Sequence, residues 1–146
     1  MVKSTRCLVN FLKGKGQPIP VVKIKPIIST LTETLLRTKD ESVIAEILTG
    51  FSLFNNDACS ATLEVLFENQ LLMQRFFQLM GHTNGRIASL AVRNLGLFLC
   101  PYESQFENAL LEYGLLREFT SLIDSDQACV RKETCWALAC LLANSP

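Results

Sequence analysis

The feature that most constrains this chain is that it repeats itself. Val43-Ile-Ala-Glu-Ile-Leu-Thr-Gly-Phe-Ser-Leu-Phe54 lies on Val130-Arg-Lys-Glu-Thr-Cys-Trp-Ala-Leu-Ala-Cys-Leu141 without a gap, sharing valine, glutamate and the apolar positions beyond them. Two further stretches, Ser4 to Leu12 and Ala88 to Leu97, fit the same pattern. Aligning the four on the residue four past the Trp136 position sets Asn10, Leu53, Asn94 and Cys140 in register, at separations of 43, 41 and 46. A unit of this size cannot bury its apolar face alone, so repetition at such an interval calls for stacked units that share a continuous core.

The later copies are each preceded by a second apolar segment: Ile27 to Leu36, Leu71 to Met80 and Leu115 to Ile123. In the middle one, Leu72, Phe76, Leu79 and Met80 recur at helical spacing, which predicts a core-facing stripe. Thr38 to Glu41, Gly81 to Gly85 and Asp124 to Asp126 are short polar turns whose Asp, Ser and Asn residues can cap the helix that follows. Ser60 to Glu68 and Gln105 to Tyr113 add a shorter first helix, with Gly114 suited to the sharp turn after the second. Gly50 costs its helix about 1 kcal/mol relative to alanine. No strand alternation is sustained, and helical units recurring at ~40 to 47 residues are the arrangement of armadillo or HEAT repeats.

Composition excludes several function classes. With 49% hydrophobic and 19% charged residues the chain is expected to fold. Fourteen basic and fourteen acidic residues leave no net charge, which argues against binding nucleic acid through a general positive field. Six basic residues from Lys3 to Lys25 precede the first acid, Glu33, so the body is acidic. This basic start lacks the arginine and serine enrichment of a targeting peptide, and Pro18, Pro20 and Pro26 are expected to interrupt an amphipathic helix there. No apolar run reaches the ~18 to 20 residues of a membrane-spanning helix, so the expectation is a soluble intracellular chain. Six cysteines form no CxxC pair and His82 is the only histidine, so no metal or other cofactor is expected. The cysteines are expected to be reduced thiols packed as small apolar residues. A nucleophile with its base and orienting group is not discernible, nor is a phosphate-cradling loop, and the chain is not expected to be an enzyme.

Four motifs carry a family resemblance: Asn10-Phe-Leu-Lys-Gly-Lys-Gly-Gln-Pro18, Ala91-Val-Arg-Asn-Leu95, Glu103-Ser-Gln-Phe-Glu-Asn-Ala-Leu-Leu-Glu-Tyr-Gly-Leu-Leu116 and Arg131-Lys-Glu-Thr-Cys-Trp136. With them the chain resembles the armadillo repeats of the importin-α family, adaptors that carry nuclear-localisation-signal cargo, over nearly its whole length. The resemblance implies an all-α fold, a right-handed armadillo solenoid of about three to four repeats in one domain. Residues 1–14 would end one repeat, and 20–56, 57–100 and 101–146 would form the next three. Against about ten repeats in a full family member, the chain reads as an internal slice.

In that family the third helix of each repeat usually carries Trp-x-x-x-Asn on the concave face. The asparagine amide both donates to and accepts from an extended peptide backbone. Paired indoles take the stems of lysine and arginine, with a cation–π attraction of about 0.5 to 2 kcal/mol, and nearby acids favour basic side chains. The corresponding pairs here are Arg6 with Asn10, Thr49 with Leu53, Leu90 with Asn94 and Trp136 with Cys140. Asn10, Asn94 and Trp136 match the family's ligand-binding types, and Glu133 matches an acid beside the smaller of its two peptide sites. The candidate peptide-binding residues are therefore Asn94, Glu133, Trp136 and Asn10. Arg6, Thr49, Leu53 and Cys140 depart from the pattern. Trp136 as a core residue, Asn10 and Asn94 as solvated or buried polar groups, and Glu133 as part of a charged face with Arg131 and Lys132 are the competing readings.

The resemblance implies basic peptide segments of cargo proteins as partners, and residence in cytoplasm and nucleus. No basic segment that would recruit importin-β is found, and neither a nucleic acid nor a membrane is expected as partner. Starting and stopping within repeats would leave apolar ends uncovered, and such ends either find partners, self-association through them included, or fray.

Overall fold

A computed structural model of the chain describes residues 6, 7, 9, 10, 21–56, 60–100 and 104–144, with side chains over most of them. The Lys13 to Pro18 loop and Glu103 lie outside these residues, as do the side chains of 104–107. All regular structure among the described residues is helical. The chain divides into two compact units, Met1–Gln78 and Leu79–Pro146.

The first unit contains α1 (Val21–Arg37), α2 (Glu41–Asn56), α3 (Ser60–Phe67) and most of α4 (Gln70–Met80). Along α1, Ile24, Ile28, Leu31 and Leu35 are buried, the single stripe that a helix of 3.6-residue period presents to a core. This helix begins six residues before the apolar pattern and contains Pro26, against the expectation that proline would interrupt it. Pro26 is exposed and lies early in the helix, so its ring points to solvent and the missing N–H removes only one bond near the N-terminal end. Thr38 to Asp40 separate α1 from α2, and Asp40 caps the latter: its Oδ1 accepts from the Ser42 N–H at 2.9 Å and the Ser42 hydroxyl at 2.7 Å.

Helix α2 is buried nearly all round, at Val43, Ile44, Ala45, Ile47, Leu48 and Phe51. Gly50, the expected weak point, is buried within it. Phe51 meets Phe76 of α4 edge to face, with centroids 5.7 Å apart and planes at 78°. Such pairs add about 0.5 to 1.5 kcal/mol beyond the area they bury. The stripe expected of Leu72, Phe76, Leu79 and Met80 is buried throughout, no member more than 2% exposed.

The second unit contains α5 (Gly85–Leu97), α6 (Ser104–Glu112), α7 (Leu115–Leu122) and α8 (Ala128–Asn144). Asn84 caps α5 from an extended conformation, its Oδ1 accepting from the Arg86 N–H at 3.0 Å. Gly114 joins α6 to α7 at φ +86°, the left-handed region where a Cβ would collide with the backbone. Helix α8 buries Val130, Thr134, Ala137 and Leu141, again one face at helical spacing. That face packs mainly along α5, whose buried residues include Ile87, Ala91, Val92 and Leu95.

Candidate functional site

Helices α5 and α8 run side by side in the same direction, and a line of contacts joins residues forty apart. Arg93 faces Glu133, with Nη1 3.4 Å from each carboxylate oxygen. The same guanidinium lies over the Trp136 ring, Cζ 5.6 Å from its centroid. One turn on, Gly96 meets Trp136 and Ala137 so closely that a Cβ there would stand 2.8 Å from both. At the end of the line, the sulfurs of Cys100 and Cys140 are 3.0 Å apart.

The sequence forms this seam for local reasons. Glu133 and Trp136 are three residues apart on α8 and so share a face. Arg93 and Gly96 have the same spacing on α5, and the absent side chain of Gly96 makes room for the indole. The Arg93 side chain is 43% exposed and that of Glu133 17%, so water screens the ion pair and its contribution is at most about 1 kcal/mol. The cation–π contact adds a comparable ~0.5 to 1 kcal/mol. The result is a guanidinium held between a carboxylate and an indole face, with Trp136 itself half-buried.

Of the four candidate residues, the structure brings Glu133 and Trp136 together. Asn94 belongs to α5 but is turned inward: it is 0% exposed and its Nδ2 donates to the Leu90 carbonyl at 2.8 Å. An amide committed to its own helix is not presented to a peptide, so the buried reading describes Asn94 and the exposed one does not. Asn10 is exposed and helical, and belongs to the first unit.

The first unit contains a second copy of the ion pair. Arg6 donates to Glu46 through Nη2 at 3.2 Å and Nε at 3.4 Å, again across forty residues. Glu46 and Glu133 occupy the same place in the gapless alignment, so Arg6 corresponds to Arg93. The third slot is therefore Arg93 with Leu97, three residues on from Leu90 with Asn94. With Leu97 as reference the separations become 43, 44 and 43, more even than before. Three residues turn a helix by about 300°, which moves Asn94 out of the slot, and Leu97, which takes its place, is itself buried. Thr49, at the Trp136 place in the first unit, bonds the Ala45 carbonyl through its hydroxyl at 2.8 Å and offers no ring.

Arg93, Gly96 and Cys100 were not among the sequence candidates. The signal that could have found them is the constant forty-residue offset between the two arginines and the two aligned glutamates. Residue type drew attention to Asn94 instead.

The cysteines also differ from expectation. Those described are free thiols, and none is buried: Cys7, Cys100, Cys129 and Cys135 are exposed and Cys140 half-buried. On α8, Cys129 and Cys135 lie outside the buried stripe of Val130, Thr134, Ala137 and Leu141, so small size and low polarity did not carry them into the core. Partial desolvation, then the Cys140 thiol beside it, pushes Cys100 up to about 12. Among the described residues no three His, Cys, Asp or Glu side chains are grouped to hold a metal ion, and no helix is long and apolar enough to cross a membrane.

No protein-family model matches the sequence, and a comparison with curated proteins finds no match. Among solved structures, two crystal structures of engineered proteins from the Northeast Structural Genomics Consortium are similar in fold. Each has a TM-score of 0.76 at 19% identity. The first covers 98% of this chain and 56% of its own, the second 94% and 55%. The chain thus spans little more than half the length of the engineered proteins it resembles, and what it shares with them is an all-helical fold.

Proposed function

We propose that the chain is an importin-α-like peptide-binding module, a right-handed armadillo solenoid of about three to four repeats that holds basic nuclear-localisation-signal segments of cargo proteins. The observation that carries this reading is the Arg93 guanidinium seated between Glu133 and the face of Trp136. This edge of the molecule already recognises a basic side chain, by the same charge and cation–π chemistry that a lysine or arginine of a peptide would use. The paired ions at equal spacing in both units, Arg6 with Glu46 and Arg93 with Glu133, support an internal repeat in the register given by the gapless match of Val43–Phe54 to Val130–Leu141. On this reading the module works in cytoplasm and nucleus without cofactor or catalysis.

Arg93 also predicts the strength of binding. An incoming basic side chain must displace the guanidinium or share its partners, so affinity is weaker than an empty slot would give. Titrating Trp136 fluorescence with a lysine-rich peptide and a charge-reversed control tests the reading directly, since it is the chain's single indole. The lysine-rich peptide is expected to saturate the signal and the control to leave it unchanged. Calorimetry should show Trp136→Ala weakening the complex by more than about 1 kcal/mol and Arg93→Ala tightening it several-fold. No binding by either the wild-type chain or Arg93→Ala would overturn the proposal.

A second reading is favoured by the inward turn of Asn94 and by the exposed Leu111, Tyr113, Leu116, Ile123 and Leu142 of the second unit. It makes the chain a degenerate armadillo scaffold that binds other proteins and no longer reads nuclear signals.

A further inference from the structure

Cys100 and Cys140 form a juxtaposition that peptide binding does not use. Cys100 follows the end of α5 and Cys140 lies in the last part of α8, with their sulfurs 3.0 Å apart. A disulfide requires ~2.05 Å between sulfurs, so closing the pair needs a shift of about 1 Å, within reach of side-chain rotation. Cys100 is exposed and Cys140 half-buried, so a small oxidant can approach them. The other described cysteines have no such neighbour: Cys129 and Cys135 are exposed on α8, and Cys7 belongs to the first unit. The contact is also the last rung of the forty-residue seam. Arg93 with Glu133 and Gly96 with Trp136 hold the same two helices in the register that brings the sulfurs together.

We propose that Cys100 and Cys140 are a redox-modification site, a dithiol that closes to a reversible disulfide pinning the end of α5 to α8 beside Trp136. The co-reactant is a low-molecular-weight disulfide. Cys140 takes the first step, giving its proton to solvent. Its thiolate attacks one sulfur of the oxidant, whose S–S bond breaks and releases one small thiolate. Cys100 then gives its proton to solvent. The Cys100 thiolate then attacks the Cys140 sulfur, the protein disulfide forms, and the second small thiolate leaves. Two protein thiols are oxidised by two electrons, and the oxidant is reduced to two thiols.

The inference stands whether or not the Trp136 edge binds peptide, and its test reads sulfur alone. The reduced full-length chain is incubated with oxidised glutathione, free thiols are alkylated, and the protein is cut with trypsin and chymotrypsin. The second enzyme cleaves at Trp136 and so separates Cys135 from Cys140. The expected product has lost two hydrogens, carries no glutathione at these positions and yields one crosslinked pair containing Cys100 and Cys140, undone by dithiothreitol. Because the bond closes a loop of about forty residues, the oxidised chain should melt more than about 5 °C above the reduced one. Cys100→Ser should retain a stable glutathione adduct on Cys140 instead of closing. Full alkylation of both cysteines in the wild-type chain, separate glutathione adducts on each, or a crosslink through Cys129 or Cys135 would overturn the proposal.

Discussion

Gly96 shows how a single residue decides whether the candidate slot exists. Its missing side chain lets the Trp136 ring lie on α5, and the ring in turn lies under Arg93. An added Cβ would stand 2.8 Å from Cζ3 of Trp136 and 2.8 Å from Cβ of Ala137, closer than real carbons approach. Alanine gains about 1 kcal/mol of helix propensity over glycine, whereas overpacking a close contact costs ~1 to 3 kcal/mol. Gly96→Ala is therefore expected to destabilise the chain, with a lower urea midpoint and Trp136 emission moved toward longer wavelength. A rise in the midpoint would mean that the indole yields without cost and is not held by the seam. Glu133 acts at the same scale, its carboxylate neutralising the Arg93 guanidinium that lies over the indole.

At the scale of the element, helix ends carry much of the local specification. Asn84 in its extended conformation satisfies the Arg86 N–H, one of the donors that the first turn of α5 leaves without an intrahelical partner. Asn84→Ala should lower stability by about 1 kcal/mol in equilibrium unfolding, and Asn84→Asp should retain most of it. The cap of α2 gives a pH dependence. Hydrogen bonds from the Ser42 hydroxyl and backbone hold the Asp40 carboxyl below its ordinary value. A carboxylate with a depressed folded-state pKa stabilises above its unfolded value near ~3.9 and loses that contribution as pH falls through the folded value. The urea midpoint of the wild-type chain should thus fall more steeply below about pH 4 than that of Asp40→Asn, which retains an acceptor but does not titrate. Equal slopes would show that the cap is indifferent to its charge.

At the scale of the whole molecule, the adaptor and scaffold readings part over association. An adaptor that reads basic peptides through the Trp136 edge should sediment as a monomer when no partner is present. A scaffold acting through its exposed leucines should associate with rising concentration, and Leu142→Glu, at a position 71% exposed, should then restore the monomer. How much of this was legible beforehand depends on the kind of signal. The apolar stripe of α4, the turn at Gly114 and the capping residues Asp40 and Asn84 could be read from the sequence, because each depends on neighbours within a few positions. The gapless match of Val43–Phe54 to Val130–Leu141 likewise determined that Glu46 and Glu133 are equivalent, since a repeat is a property of the sequence itself. The sequence did not determine which residues of α5 meet Glu133 and Trp136 of α8. The apolar residues of α5 occupy most of the helix circumference, so Leu90 with Asn94 and Arg93 with Leu97 were both compatible with the periodicity. Only packing against α8 chose between them, because Trp136 needs the space at Gly96 and Glu133 needs a cation within reach. That same packing, and nothing local to either cysteine, brought Cys100 to Cys140.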